Sequence, residues 1–242
     1  MKINELITKN EWDLSYKENF FKINHNVFLK HIFSRHVQEF SSVFEFGCYP
    51  GTFLNFLAET KQCELNGLDY SEYMEEMISR LTLRGYSMNR FFNEDVRNFN
   101  SEDLKFDVVY SVGFLEHFDN SLAILDYHIS VLSNSGTLII SIPNFRYCQF
   151  FLRNFLKSET LQGHNLEAMN LDYLCKYLKS RQLRIVESGY IETCDYWVNF
   201  KKMKFIFKVI NIPIIALLRL LNRCLNLPNK FISPYMYIVA KK

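Results

Sequence analysis

Two rhythms of apolar residues alternate along this chain. Apolar blocks at 43–46, 63–69, 106–112, 137–142, 183–190 and 235–240 are rich in Val, Ile, Leu, Phe and Tyr and read as strands. Between them, apolar residues recur three and four apart. Phe53, Leu54, Phe56, Leu57 and Ala58 form a helical face behind the first strand, and further helices are predicted over 122–132, 145–156 and 171–179. Ahead of the first strand, Trp12, Tyr16, Phe20, Phe21, Ile23, Val27, Phe28, Ile32, Phe33 and Val37 keep the same spacing and predict two helices. Alternating strands and helices make a doubly wound α/β sheet. A chain of 242 residues suits one such domain with a few additions.

The first strand runs straight into a turn and a helix, with Gly47 and Gly51 in the turn. Backbone N–H groups and the positive helix end then converge on one spot, the crevice at the strand tips where α/β sheets bind ligands. A dinucleotide fingerprint would put glycine at 47, 49 and 52, but Tyr49 and Thr52 stand there. What remains, Glu45-x-Gly47-x-x-x-Gly51, resembles motif I of the class I S-adenosylmethionine (SAM) methyltransferases, with Tyr49 in place of the middle glycine.

Three further segments extend the resemblance across 43–144. Asp69-Tyr70-Ser71 with Met74 is similar to the family's D-x-S-x-x-M, 24 residues after Glu45. A carboxylate at that strand tip accepts both ribose hydroxyls of an adenosine, and Ser71 is expected to cap the next helix. The run 90–97 resembles the third strand and the acid after it. The resemblance implies that Asp95 and the Val96 N–H meet the adenine. Ser111-Val112-Gly113-Phe114-Leu115-Glu116-His117-Phe118 is very similar to the family's S-x-G-x-L-E-H-F, and the turn 133–136 with the strand to Pro143-Asn144 matches its next segment. The resemblance therefore implies a Rossmann-like, seven-stranded, doubly wound sheet whose last strand is an antiparallel edge. It implies SAM as cofactor, held by Glu45, Gly47, Cys48, Tyr49, Gly51, Asp69, Tyr70, Asp95, Val96, Ser111, Val112 and Gly113. The expected layout is a single methyltransferase domain over 1–242: a helical cap (1–40) with Tyr16 as its nearest contact to cofactor, a SAM-binding core (43–144), substrate-side helices (145–182) and an insert (200–232).

Composition narrows the partners. The stretch 196–242 holds nine Lys and Arg and no acid, leaving nineteen bases against twenty-six acids before it. Nucleic acid is thus not an expected partner, since the body lacks a basic excess. Within the tail, Lys204, Lys208, Asn211, Ile215, Arg219, Asn222, Asn226 and Lys230 follow one another at helical steps with Ile, Leu, Val and Phe between them. That is a basic amphipathic helix, which Pro213 is expected to break or kink. It suits an anionic membrane surface, and equally a helix packed on the sheet or on a second subunit. Its four charges argue against a membrane span. Six cysteines show no C-x-x-C pair and no clustering with His, so a reduced, cytoplasmic setting is expected and no metal is assigned. The N-terminal residues have no apolar h-region of a signal peptide.

A sulfonium already activates its methyl group, so the protein mainly aligns the reactants. A base matters only for a weakly acidic hydroxyl or a protonated amine, and His117 and His164 are the candidates. The expected activity is methyl transfer to a small molecule, at oxygen, with a lipid-linked, quinone-type or surface-glycan acceptor. The rivals are a degenerate, non-catalytic SAM-binding fold acting as a membrane-associated partner, motivated by Tyr49, and a dehydrogenase, disfavoured by Tyr49 and Thr52.

Overall fold

The computed structural model describes residues 3–18, 27–155, 163–193, 205–225 and 227–242. Strands β1 (Ser42–Phe46), β2 (Glu64–Asp69), β3 (Met88–Asn93), β4 (Phe106–Val112), β5 (Leu132–Pro143), β6 (Arg184–Ile191) and β7 (Tyr235–Lys241) form one sheet in the order β3-β2-β1-β4-β5-β7-β6. β1 to β5 are parallel, and β7 is antiparallel to both of its neighbours. The seven strands and the antiparallel last one are as expected, but β7 is not an edge. It buries Met236, Ile238, Val239 and Ala240 in sequence, whereas β6 alternates inward residues with Arg184 and the exposed Val186. A strand that is apolar on both faces is stable inside the sheet; the half-polar one takes the edge.

The described helices are α1 (Lys9–Glu18), α2 (Lys30–His36), α3 (Thr52–Lys61), α4 (Met74–Thr82), α5 (Ser121–Ser130), α6 (Tyr147–Phe155), α7 (Leu171–Ser180) and α8 (Phe205–Cys224). Alternation along the strands splits the core in two. Val43, Val108, Tyr110 and Ile139 face α2, α3 and α4, while Phe44, Phe46, Val109, Leu138 and Ile140 face α5 and α7. On the first face, Glu187 of β6 pairs with Arg35 and His36 of α2, each at 2.6 Å, and accepts the Tyr237 hydroxyl at 2.7 Å.

Three local expectations need correction. Ser71 does not cap α4, which starts three residues later at Met74; its hydroxyl instead accepts the Tyr73 N–H at 3.3 Å and donates to Asp13 at 3.1 Å. Residues 133–136 are not a free turn. They lie inside β5, between the pairs Phe106–Leu132 and Val108–Thr137, where the bulge absorbs extra residues and keeps both Leu132 and Leu138 buried. Finally, α8 runs unbroken through Pro213. Pro213 is on the exposed side, as is Val209, whose carbonyl loses its partner, so water can satisfy it. Ile215 is buried and the Asn222 side chain accepts the Thr193 N–H at 2.6 Å, so this face docks on the body. Val209, Ile212, Leu217 and Leu220 point outward, each more than half exposed. No helix among the described residues is long and apolar enough to cross a membrane. Lys204 and Asn226 lie outside the described residues.

Candidate active site

The tips of β1, β2, β3 and β4 open into a cavity lined by residues of all four tips, of α1 and of the loop after β4. Asp69 ends β2. Its carboxylate accepts the Tyr49 N–H and the Ser71 N–H, both at 2.9 Å, and is only 5% exposed. Burial pushes its pKa up to about 6 even though those amides favour the charged form. Two of the lone-pair positions are thus fixed by backbone, leaving a rigid acceptor at the cavity wall.

The glycines of the turn have steric reasons. Gly47 has φ +71°, and a Cβ there would lie 2.6 Å from the Phe114 ring, so Phe114 packs directly on the turn. Gly51 has φ +82° at the start of α3, and a Cβ there would lie 2.9 Å from the Met77 sulfur. Tyr49, the departure from the glycine motif, gives its N–H to Asp69 and sets its ring 4.5 Å from that of Tyr16. The substitution therefore joins the turn to the N-terminal cap.

That cap closes the cavity. Asn4 and Asp119 exchange backbone and side-chain hydrogen bonds at 2.7–3.0 Å, and the Leu6 N–H donates to the His117 carbonyl at 2.8 Å. The strap carries Glu5 inward to accept the Tyr70 hydroxyl and to face Arg97 at 3.4 Å. Burial raises the Glu5 pKa; burial and the Glu5 neighbour push the Tyr70 phenol up, so it stays a donor. Behind the strap, α1 lays Trp12 edge-on against His117, ring centroids 4.7 Å apart.

Of the residues expected to hold cofactor, Gly47, Tyr49, Asp69, Tyr70, Asp95, Val96, Val112 and Gly113 line the cavity, as do Tyr16 and His117. Glu45, Cys48, Gly51, Ser111 and His164 do not. Glu45 is buried beneath the turn, where it accepts the Tyr110 hydroxyl at 3.0 Å and burial raises its pKa well above normal. Cys48 is buried behind Gly67, and its thiol is pushed up by burial. Asp95 caps the short turn 96–98. Burial opposes its ionisation, but the paired Arg97 guanidinium outweighs it and holds the carboxyl below the usual range. Glu5, Trp12, Glu94, Phe114 and Phe118 also line the cavity and carried no signal of that role in sequence reasoning.

The two histidine candidates come together. His117 and His164, 47 residues apart, have ring centroids 4.7 Å apart, beside the buried Glu116. Burial drives the His117 pKa down to about 3, with the Gly163 and Gly113 carbonyls opposing it, and pushes Glu116 up to about 8. A histidine of that basicity is neutral at ordinary pH and a weak proton acceptor on its own.

The lining suits SAM. A buried carboxylate held for two hydroxyl donors, an acid and an N–H at 95–96, and bare glycine backbone at 47 and 113 match a nucleoside bearing a small charged chain. A family model described as a methyltransferase domain matches residues 23–188, more than half of the chain. Among solved structures, a proposed methyltransferase from Bacillus halodurans C-125 superposes with a TM-score of 0.64 at 14% identity, over 88% of this chain and 98% of that one. A SAM-dependent methyltransferase from Archaeoglobus fulgidus gives 0.56 at 20% identity over 97% and 95%. Coclaurine N-methyltransferase, bound to N-methylheliamine and S-adenosylhomocysteine (SAH), gives 0.58 at 14% over 88% and 71%. No curated protein sequence matches. With that family model over more than half of its length and a seven-stranded sheet in the order β3-β2-β1-β4-β5-β7-β6, the chain belongs to the methyltransferase-domain family and is a class I SAM-dependent methyltransferase.

Proposed function

We propose that this enzyme methylates a hydroxyl oxygen on a small, largely apolar, ring-containing acceptor. The observation that carries this reading is the lining of the cavity. Beyond the cofactor groups it offers Trp12, Tyr16, Phe114 and Phe118, and no Lys or Arg lines it among the described residues. An acceptor that relied on phosphate or carboxylate would find no cation there, whereas a phenolic, quinone-type ring would stack on its walls. A surface-glycan intermediate, the other class the composition suggested, would call for more polar side chains.

When bound, SAM supplies an activated methyl group with a neutral leaving group. The chain's own residues do the rest. Asp69 accepts from the ribose, and Asp95 with the Val96 N–H borders the adenine. The Gly47 and Gly113 backbones let the cofactor approach. Trp12, Tyr16 and the strap at 4–6 exclude water and align the acceptor. The exposed apolar face of α8 supports a peripheral membrane position on the cytoplasmic side, with an acceptor drawn from the lipid phase.

Calorimetric titration of SAH into wild type and Asp69→Ala, followed by transfer from labelled SAM to matched phenols, amines and thiols, tests the assignment. Label on the phenol is expected; label confined to amine or thiol overturns the oxygen assignment. Flotation with anionic vesicles tests the membrane position, which fails if the protein stays at the bottom.

A further inference from the structure

Behind the cavity wall that His117 forms, Glu116, His117 and His164 each offer a ligand atom, and these atoms all lie within 4.8 Å of one another. Glu116 and His117 come from the turn after β4, and His164 from the segment leading to α7. Hydrogen bonds fasten the two loops together. The Asn165 N–H donates to the Glu116 carbonyl at 2.6 Å, and its side chain donates to the Phe118 and Asp119 carbonyls at 3.0 and 3.1 Å. The His117 Nδ1 lies 3.2 Å from the Gly163 carbonyl. A carbonyl only accepts, so Nδ1 carries the proton and the Nε2 lone pair is left as a ligand.

That lone pair faces a second electron-rich atom. Glu116 Oε1 is 3.7 Å from His117 Nε2, too far for a hydrogen bond, and Glu116 Oε2 has no hydrogen-bond partner among the described residues although Glu116 is 1% exposed. A buried carboxyl oxygen without a hydrogen-bond partner beside an imidazole lone pair is costly unless a proton or a cation joins them. We infer that Glu116, His117 and His164 bind a divalent first-row transition metal that receives the acceptor hydroxyl at an open coordination position. Two imidazoles and one carboxylate select such ions over magnesium or calcium, and three protein ligands leave room for a substrate oxygen. Tetrahedral ligands roughly 2.1 Å from one ion lie about 3.4 Å apart. A pair 4.8 Å apart thus needs to close by about 1.4 Å.

The site deepens the oxygen-acceptor reading and rests on it for its role. A bound hydroxyl loses its proton to solvent water, and the metal holds the resulting oxyanion at the rim that His117 shares with the cofactor cavity. Residue spacing does not reveal this site, because the cysteines carry no metal pattern and the two histidines meet only in the fold.

The test is cobalt(II) titration of metal-free protein, read by d–d absorption and by metal content after dialysis, with SAH affinity measured by calorimetry in parallel. One equivalent of cobalt is expected in wild type, bound at least tenfold more weakly by His164→Ala and by Glu116→Gln, with SAH affinity within twofold in all three. His164→Ala is the safer variant, since that side chain is only half-buried. No cobalt uptake by protein that binds SAH overturns the metal site and leaves the methyltransferase reading standing. Uptake unchanged in both variants places the ion elsewhere and overturns it too. If the metal binds, chelation should abolish transfer to a phenol; metal binding with transfer only to amines would overturn the acceptor role.

Discussion

The two ends of the sheet handle polarity in opposite ways. At the tips of β1, β2 and β3, carboxyl groups are held wholly or partly out of water and each is fastened: Asp69 by two amides, Glu45 by Tyr110, Asp95 by Arg97. On α8, apolar side chains stand in the open, with Val209, Ile212, Leu217 and Leu220 all more than half exposed. The first region spends desolvation to make fixed acceptors for one ligand. The second leaves surface uncovered that a monomer in water would not favour. One suits a defined small molecule, whereas the other leaves an apolar face uncovered.

The sharpest break in this contrast is Asp69→Ala. Removing a charged acceptor of two hydroxyls should weaken SAH binding by about 2–4 kcal/mol, roughly 30- to 1000-fold, as read by calorimetry. On α8 the inward Ile215 and the outward Leu217 should separate in denaturant melts. Ile215→Ala should cost about 2–4 kcal/mol of stability, while Leu217→Ala should stay within about 0.5 kcal/mol. Equal costs would mean that the outer face is already packed in solution. Next comes Gly47→Ala, which forces a left-handed φ and a Cβ into Phe114 and should cost about 1–3 kcal/mol in the same melts.

The pH dependence is smaller and has a definite sign. The carboxyl of Asp69 is raised from 3.8 to about 6 in the fold, so the ligand-free fold holds a proton that the unfolded chain releases in that window. Ligand-free stability should therefore fall as pH rises from about 4 to 6. Hydroxyl donors favour the ionised form, so SAH affinity should rise through that range, by at most about tenfold per pH unit, and level off above about 6. Asp69→Asn should flatten the profile. The least effect on folding is expected from Leu217→Asp with Leu220→Asp: stability nearly unchanged, flotation with anionic vesicles lost.

What could be read in advance follows the range of the interaction. Gly47, Asp69, Asp95 and Gly113 sit at strand ends whose geometry is set within a few residues, so the local motifs that resemble the family located them. Phe114 lay in the same segment, and its role depends on Gly47 having no side chain, a contact across two strands. Glu5 and Trp12 reach the cavity only because Asn4 and Leu6 pair with 117–119, more than a hundred residues away. The face of α8 was placed by period, but which side would dock was not, because amides at Asn222 are as able to bond a buried backbone as to meet water. Pro213 misled for a similar reason: one lost hydrogen bond on an exposed side does not outweigh the packing of the rest of the helix.

The placement of β7 between β5 and β6 has a consequence for the order of assembly. β6 is made more than forty residues earlier, yet its ladder partner is β7. Emerging from the ribosome, β1 to β5 can zip together as each βα unit appears, but β6 must wait, unpaired, for a strand that has to slot in antiparallel between it and its neighbours. Until then the open edge of β5 is apolar and sticky. The nascent chain is most vulnerable to aggregation in that interval, and a chaperone would find its longest window there.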